Sequence, residues 1–209
     1  MKSFSITKLE TARKSPANFA ALLKSPSAQS GFGKSKYADW KNAIYYFHKT
    51  KDLAKTLDYF EKFFQKHFKN NRVNTKDFEK YTKLIENYVA ECKNKSLTFI
   101  EAKKKIDFLI IKDKLELSGQ APIIYLNSRL NYSIYFFSKT SKDWEDELRF
   151  PIIQYYFAKE VYGVEASELE VGIFALDVEK HLQRSYSKNE IKKAIKELNS
   201  IGKIIVANL

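Results

Sequence analysis

Apolar residues recur at helical spacing through the first half of the chain, then give way near residue 97 to short extended runs. Trp40, Ile44 and Phe47 form one stripe. Leu53, Leu57, Phe60, Phe64 and Phe68 form a second, and Phe78, Tyr81, Ile85, Tyr88 and Cys92 a third. Aromatics so spaced read as the buried faces of amphipathic helices in preference to a base-stacking surface. Cys92 shares such a face, which makes it a packed thiol rather than a nucleophile. Thr7 to Glu10 fits a capping box opening a first helix. Ser15-Pro16 restarts a helix through Phe19, Leu22 and Leu23. Residues 24–36, with Pro26, Gly31 and Gly33 among serines, read as a loop.

Beyond residue 97 the pattern predicts a sheet. Leu97–Glu101 begins an extended segment and Ile106–Ile111 reads as a strand. Leu115–Leu126 follows after a turn near Lys112-Asp113, and Tyr132–Phe137 is rich in β-formers. A helix is predicted from Trp144 to Tyr162, stopped by Gly163, and a short central strand over Val171–Leu176. Ser187 and Glu190 make a second capping box. Ile191, Ala194, Ile195 and Leu198 are the buried face of the last helix, with Gly202 at its end and an edge strand over Ile204–Val206. The order, helices and then β-β-β-α-β-α, predicts an α/β (α+β) protein with a mixed central sheet and flanking helices. No internal repeat and no long linker interrupts it, so residues 1–209 read as one domain. Residues 1–95 form its mainly helical, basic part and residues 96–209 its α/β core.

Charge changes the picture. The net charge is +12, yet residues 1–105 hold 23 Lys/Arg against 10 Asp/Glu, and residues 106–209 hold 14 against 15. A positive field confined to one half points to nucleic acid as partner, because neutralised phosphates release counterions. A lysine coat that merely solvates helix faces has the same composition. Only five of the 37 basic residues are Arg, which leaves little bidentate reading of bases or phosphates. Candidate phosphate contacts are Lys8, Arg13 and Lys14 on the opening helix and Lys34, Lys36 and Lys41 around the loop. One cysteine excludes an internal disulfide, and three scattered histidines (His48, His67, His181) disfavour a zinc site. No apolar run approaches the ~20 residues that span a bilayer. The N-terminus lacks a signal-peptide core, so a cytoplasmic location without membrane association is expected.

The element order of the second half resembles the PD-(D/E)XK nuclease fold, in particular its RecB-like exonuclease branch, with its restriction-endonuclease-like sheet. Ser5–Phe19 is similar to the opening helix of that branch. Glu101 stands where the family often has a Glu before the first core strand. Leu117-Ser-Gly-Gln-Ala-Pro122 falls on the family's Gly-x-x-Asp, and Tyr135-Phe-Phe-Ser-Lys-Thr140 on its Asp/Glu-x-Lys-Thr. Arg149–Tyr156 resembles the Gln-containing helix that follows, with Gln154 as its glutamine. The likeness covers residues 95–180 and, more weakly, the first 25. It implies Lys139, Gln154 and Glu101 as remnants of a catalytic site, and adds Lys139 and Arg149 to the nucleic-acid contacts.

The departures fall on the chemistry. The resemblance puts Pro122 and Phe137 at the two positions whose carboxylates would hold Mg²⁺, and neither side chain offers a hard oxygen ligand. Lys139 without the metal cannot generate the nucleophile. The expectation is a catalytically inactive nuclease-like protein with no metal or cofactor. It would bind nucleic acid, or dock a protein partner in a DNA-processing, phage or defence complex. An active Mg²⁺-dependent nuclease, with ligands migrated to Glu101 and Asp143 or Glu145, is the first alternative. The run Asp143, Glu145, Asp146, Glu147 reads more simply as the acidic first turn of a helix. A structural interaction protein without nucleic-acid binding is the second alternative. The segment 187–204 also resembles a winged-helix recognition segment, but no partner helix precedes it closely, so a packed terminal helix is expected.

Overall fold

The structure, a computed structural model, describes residues 1–24 and 35–209. It is a mixed α/β fold: an open central sheet with helices on both faces. The loop read over residues 24–36, including Lys34, falls outside the described residues from 25 to 34. Strand β1 (Lys2–Ser5) leads through a 3-10 turn into helices α1 (Leu9–Lys14) and α2 (Pro16–Lys24). Helices α3 (Lys36–Thr50), α4 (Leu53–His67) and α5 (Arg72–Asn94) precede strands β2 (Thr98–Ile111), β3 (Leu115–Leu126) and β4 (Tyr132–Ser138). Helix α6 (Arg149–Tyr156) crosses to β5 (Leu169–Ala175), which is followed by β6 (Lys180–Arg184) and α7 (Lys188–Ala207).

The three aromatic stripes are α3, α4 and α5, and they cover one face of the sheet. Trp40, Ile44, Phe60, Phe64, Ile85 and Tyr88 pack there on Ile123, Tyr125, Tyr135 and Phe174. The other face carries α1, α2, α6 and α7, with Leu9, Phe19, Phe150, Ile153 and Leu198 against Leu117, Ile124, Ile134 and Val171. Strands β3, β4 and β5 bury residues on both sides, as the covered centre of a sheet requires.

The pairing is β2 antiparallel to β3, β3 antiparallel to β4, β4 parallel to β5 and β5 antiparallel to β6. Strand β3 changes partner along one edge: Leu115–Ser118 pair in parallel with β1, and Ile123–Leu126 pair with β4. The sheet forks between these stretches, at Gly119–Pro122. Gly119 is required there, since a Cβ would meet Ile6 Cγ2 at 2.7 Å. Pro122, with no N–H to donate, lies between the stretches that pair with β1 and with β4.

The extended segment expected from residue 97 and the strand over 106–111 join as one long strand, β2, bent by bulges between Phe99 and Glu101 and between Leu109 and Ile111. Several local expectations are corrected. Thr7 does not cap α1; Ser5 caps the 3-10 turn by accepting from Thr7 N, and Glu10 accepts from Leu148 N at 2.7 Å. The helix expected over 144–162 divides into a 3-10 turn at Trp144–Asp146, α6, and a π turn at Phe157–Tyr162, which Gly163 does end at φ 65°. The Ile204–Val206 edge strand does not form. Ile201 and Ile205 continue the buried face of α7, and that burial outweighs the β-preference of the run. Gly202 therefore lies inside α7, where a Cβ would meet Ile110 Cγ2 at 2.5 Å. The Ser187–Glu190 capping box forms as read, and α7 packs as a terminal helix.

Candidate nucleic-acid interface

The fork in the sheet is where the resemblance would place two metal-binding carboxylates. Phe137 points to the α3–α5 face, paired with Phe174 on β5. Its ring meets Trp40 edge-on at 5.1 Å, Tyr45 at 6.0 Å and Tyr88 at 6.2 Å. Trp40, fully buried, also stacks on Phe174 at 6.0 Å and on Tyr37 at 5.8 Å. The space beside Lys139 is thus packed with aromatic carbon. Among the described residues no group of three or more His, Cys, Asp or Glu could hold a metal ion.

A ring of ammonium groups lies above this aromatic floor. Lys139 Nζ is 5.6 Å and Lys41 Nζ 4.9 Å from the Tyr37 ring centroid, and Lys103 Nζ is 4.4 Å from that of Tyr45. Tyr37, Lys41 and Tyr45 are successive turns of one face of α3. None of the three lysines makes an ion pair among the described residues, whereas Lys104 and Lys105 pair with Glu101 and Asp107. Burial and the nearby Lys103 charge hold the Lys41 ammonium below its ordinary value, and burial pushes the Tyr45 hydroxyl up to about 12.

The other sequence-predicted residues do not join this group. Glu101 is opposite Ile124, whose side chain faces the α6–α7 layer, and it accepts from Tyr162 Oη at 3.2 Å. It stands across the sheet from Lys139. Asp143 is exposed, and Glu145 is 3.4 Å from Arg184. The acidic run surrounds the 3-10 turn rather than opening a helix. Arg13 is held by Glu197 at 2.7 Å, by Glu10 and by the Asp146 carbonyl, so it ties α1 to α7. Lys36 bonds Asn74 and Asp77, each at 2.5 Å. Arg149 pairs with Glu147 at 2.6 Å and lies over Phe136 and Phe150. Lys8 and Lys14 are exposed beside α1, on the opposite side of the sheet from α3. Lys34 lies outside the described residues.

Gln154 is a buried clamp. Its amide nitrogen donates to the Ala166 and Tyr186 carbonyls at 2.7 and 3.0 Å, and its oxygen accepts from Tyr186 N at 2.7 Å. Gln154→Leu leaves these backbone groups unpaired and is expected to cost about 2–3 kcal/mol of stability. Urea denaturation measures that loss. Nucleic-acid affinity should stay unchanged, which separates a clamp from a binding residue.

Sequence reasoning missed Lys103, Tyr37 and Tyr45. The i, i+4, i+8 spacing of Tyr37, Lys41 and Tyr45 was a legible signal. That of Lys103 was not, because its side chain reaches Tyr45 only through the tertiary crossing of α3 over the sheet.

A second polar group lies deeper in the same layer. His48 Nε2 bonds Tyr88 and Tyr125 hydroxyls, each at 2.9 Å, and those two hydroxyls bond each other. Cys92 Sγ is 3.4 Å from Tyr125 Oη, and burial pushes its thiol up to about 11. That makes it an inert packed thiol, as its spacing indicates.

No family model matches the chain, and no curated protein matches it in sequence. Among the described residues no helix is long and apolar enough to cross a membrane.

Proposed function

We propose that the chain is a catalytically silent protein of the PD-(D/E)XK type that serves as a nucleic-acid-binding module. The observation that carries this reading is Phe137. By the resemblance it stands where the family has a metal-binding acid; it is seated against Trp40, Tyr45 and Tyr88, two residues before a lysine that lies over Tyr37. An Mg²⁺ site needs about six oxygens at ~2.1 Å, and an aromatic wedge supplies none. The strand order supports the fold side of the reading: a meander β2-β3-β4, a helical crossover, then β5 parallel to β4. The positive half of the chain supports the binding side.

The migrated-ligand alternative draws no support from the geometry, since Glu101 and Lys139 are on opposite faces. Purified protein incubated with end-labelled single- and double-stranded DNA and RNA, with Mg²⁺ or Mn²⁺, is expected to leave them intact. Metal-dependent cleavage that Lys139→Ala abolishes would overturn the reading.

A further inference from the structure

We propose that Lys41, Lys103 and Lys139, set around Tyr37 and Tyr45, form a metal-free site for the phosphodiester backbone of a nucleic-acid strand. The inference rests on the nucleic-acid reading above and assigns it a surface and a ligand group. The three lysines come from α3, from β2 and from the residue after β4, and they converge on two rings of one helix face.

Two features of the cluster point to an anion. Each ammonium lies over a tyrosine face and makes no ion pair among the described residues. At the exposed Lys103 and Lys139 a cation–π contact contributes only about 0.5–1 kcal/mol, less than a charge-assisted bond to a phosphate oxygen. Those two lysines can therefore turn from ring to phosphate at little cost. Finally, Lys41 and Lys103 crowd like charges together over an apolar floor, a repulsion that an anion relieves.

The extent of the cluster favours a polyanion over a single small ion. Tyr37 and Tyr45 are eight residues apart on α3, about 12 Å along its axis. A strand crossing the fork would place successive phosphates against successive lysines. Contacts to phosphate carry no base information, so binding should be independent of sequence.

The test is fluorescence anisotropy on a labelled oligothymidylate between about 50 and 200 mM salt. It compares wild type, Lys41→Gln/Lys103→Gln/Lys139→Gln, the matching triple arginine variant, and a Lys8→Gln/Lys14→Gln control. The glutamine triple should flatten the slope of log K against log salt by about two units, at ~0.7 per phosphate on a single strand. The arginine triple should keep the wild-type slope, and the control should lose less than one unit. Unchanged circular dichroism and melting of the glutamine triple exclude misfolding as the cause. Competition with inorganic phosphate distinguishes a single-anion site: full displacement at low millimolar phosphate overturns the strand assignment. Wild type that binds, with a glutamine triple equal to the control, overturns this site and leaves the nucleic-acid reading standing. Wild type that does not bind at low salt overturns both and points to a protein-docking role.

Discussion

Trp40→Ala should lower the unfolding free energy by about 3–5 kcal/mol, the range for deleting a fully buried large aromatic. For a chain of this size that is a fall of about 10 °C in Tm. Trp40 is the keystone between α3 and the forked sheet: it touches Tyr37, Tyr88, Phe137 and Phe174 at once. Removing it leaves a cavity between α3, α5 and the sheet, where Phe137 and Phe174 are held by their strands and Tyr88 by α5. Trp40→Phe should cost far less. It keeps most of the ring contact and discards an indole N–H that has no partner among the described residues. Urea denaturation of both variants measures the difference. Equal losses for Phe and Ala, or a loss below 1 kcal/mol for Ala, would show that the aromatic cluster does not support the fold.

Acidification should destabilise the protein well above the usual carboxylate range. Burial is the main force pushing both His48 and His181 down to about 3, helped by Lys51 for the first and by Lys95 and His48 for the second. In the unfolded chain both titrate near 6.5. The unfolded state therefore binds more protons than the folded one between those values. The stabilisation is complete above pH 6.5 and is lost as pH falls toward 3. At pH 5 the loss is about 2 kcal/mol per histidine, about 4 kcal/mol for the pair, against a total of roughly 5–15 kcal/mol.

His181 offers a sharper test. Neither ring nitrogen has a partner among the described residues, and the ring lies among Tyr88, Tyr125, Tyr135 and Phe174. His181→Leu should remove about half of the pH 7.5 to pH 5 loss and leave stability at pH 7.5 equal or higher. Urea midpoints at the two pH values read both quantities. A wild type equally stable at both, or a leucine variant that keeps the full acid sensitivity, would show that His181 is not held neutral by burial.

The reach of the sequence can be judged from particular elements. Helices α3, α4 and α5 were legible because each carries an apolar stripe over many turns, and α7 because Ser187 and Glu190 announce its start. The strand β1 was not. Lys2–Ser5 has no alternation of its own and becomes a strand only by pairing with Leu115–Ser118, more than 100 residues away. Strand β6 was missed because Lys180–Arg184 is largely polar and buries only His181 fully. The end of α7 was misread because Ile204–Val206 favours a strand locally while Ile205 is buried at helical spacing.

The candidate site divides in the same way. The sequence by itself determined that the two acid positions of the resemblance are Pro122 and Phe137, that Lys139 follows, and that positive charge gathers in the first half. These are statements about identity and order along the chain, which need no fold. Only the tertiary structure decided which lysines lie together. Arg13, Lys36 and Arg149 are taken up by Glu197, Asp77 and Glu147, and Lys8 and Lys14 lie across the sheet from α3. Lys41, Lys103 and Lys139 meet over Tyr37 and Tyr45 because α3 crosses the fork and a left-handed residue in β2 brings a third ammonium to it. Charge interactions depend on distance in space, and separation along the chain does not reveal it until the long-range strand pairings have closed.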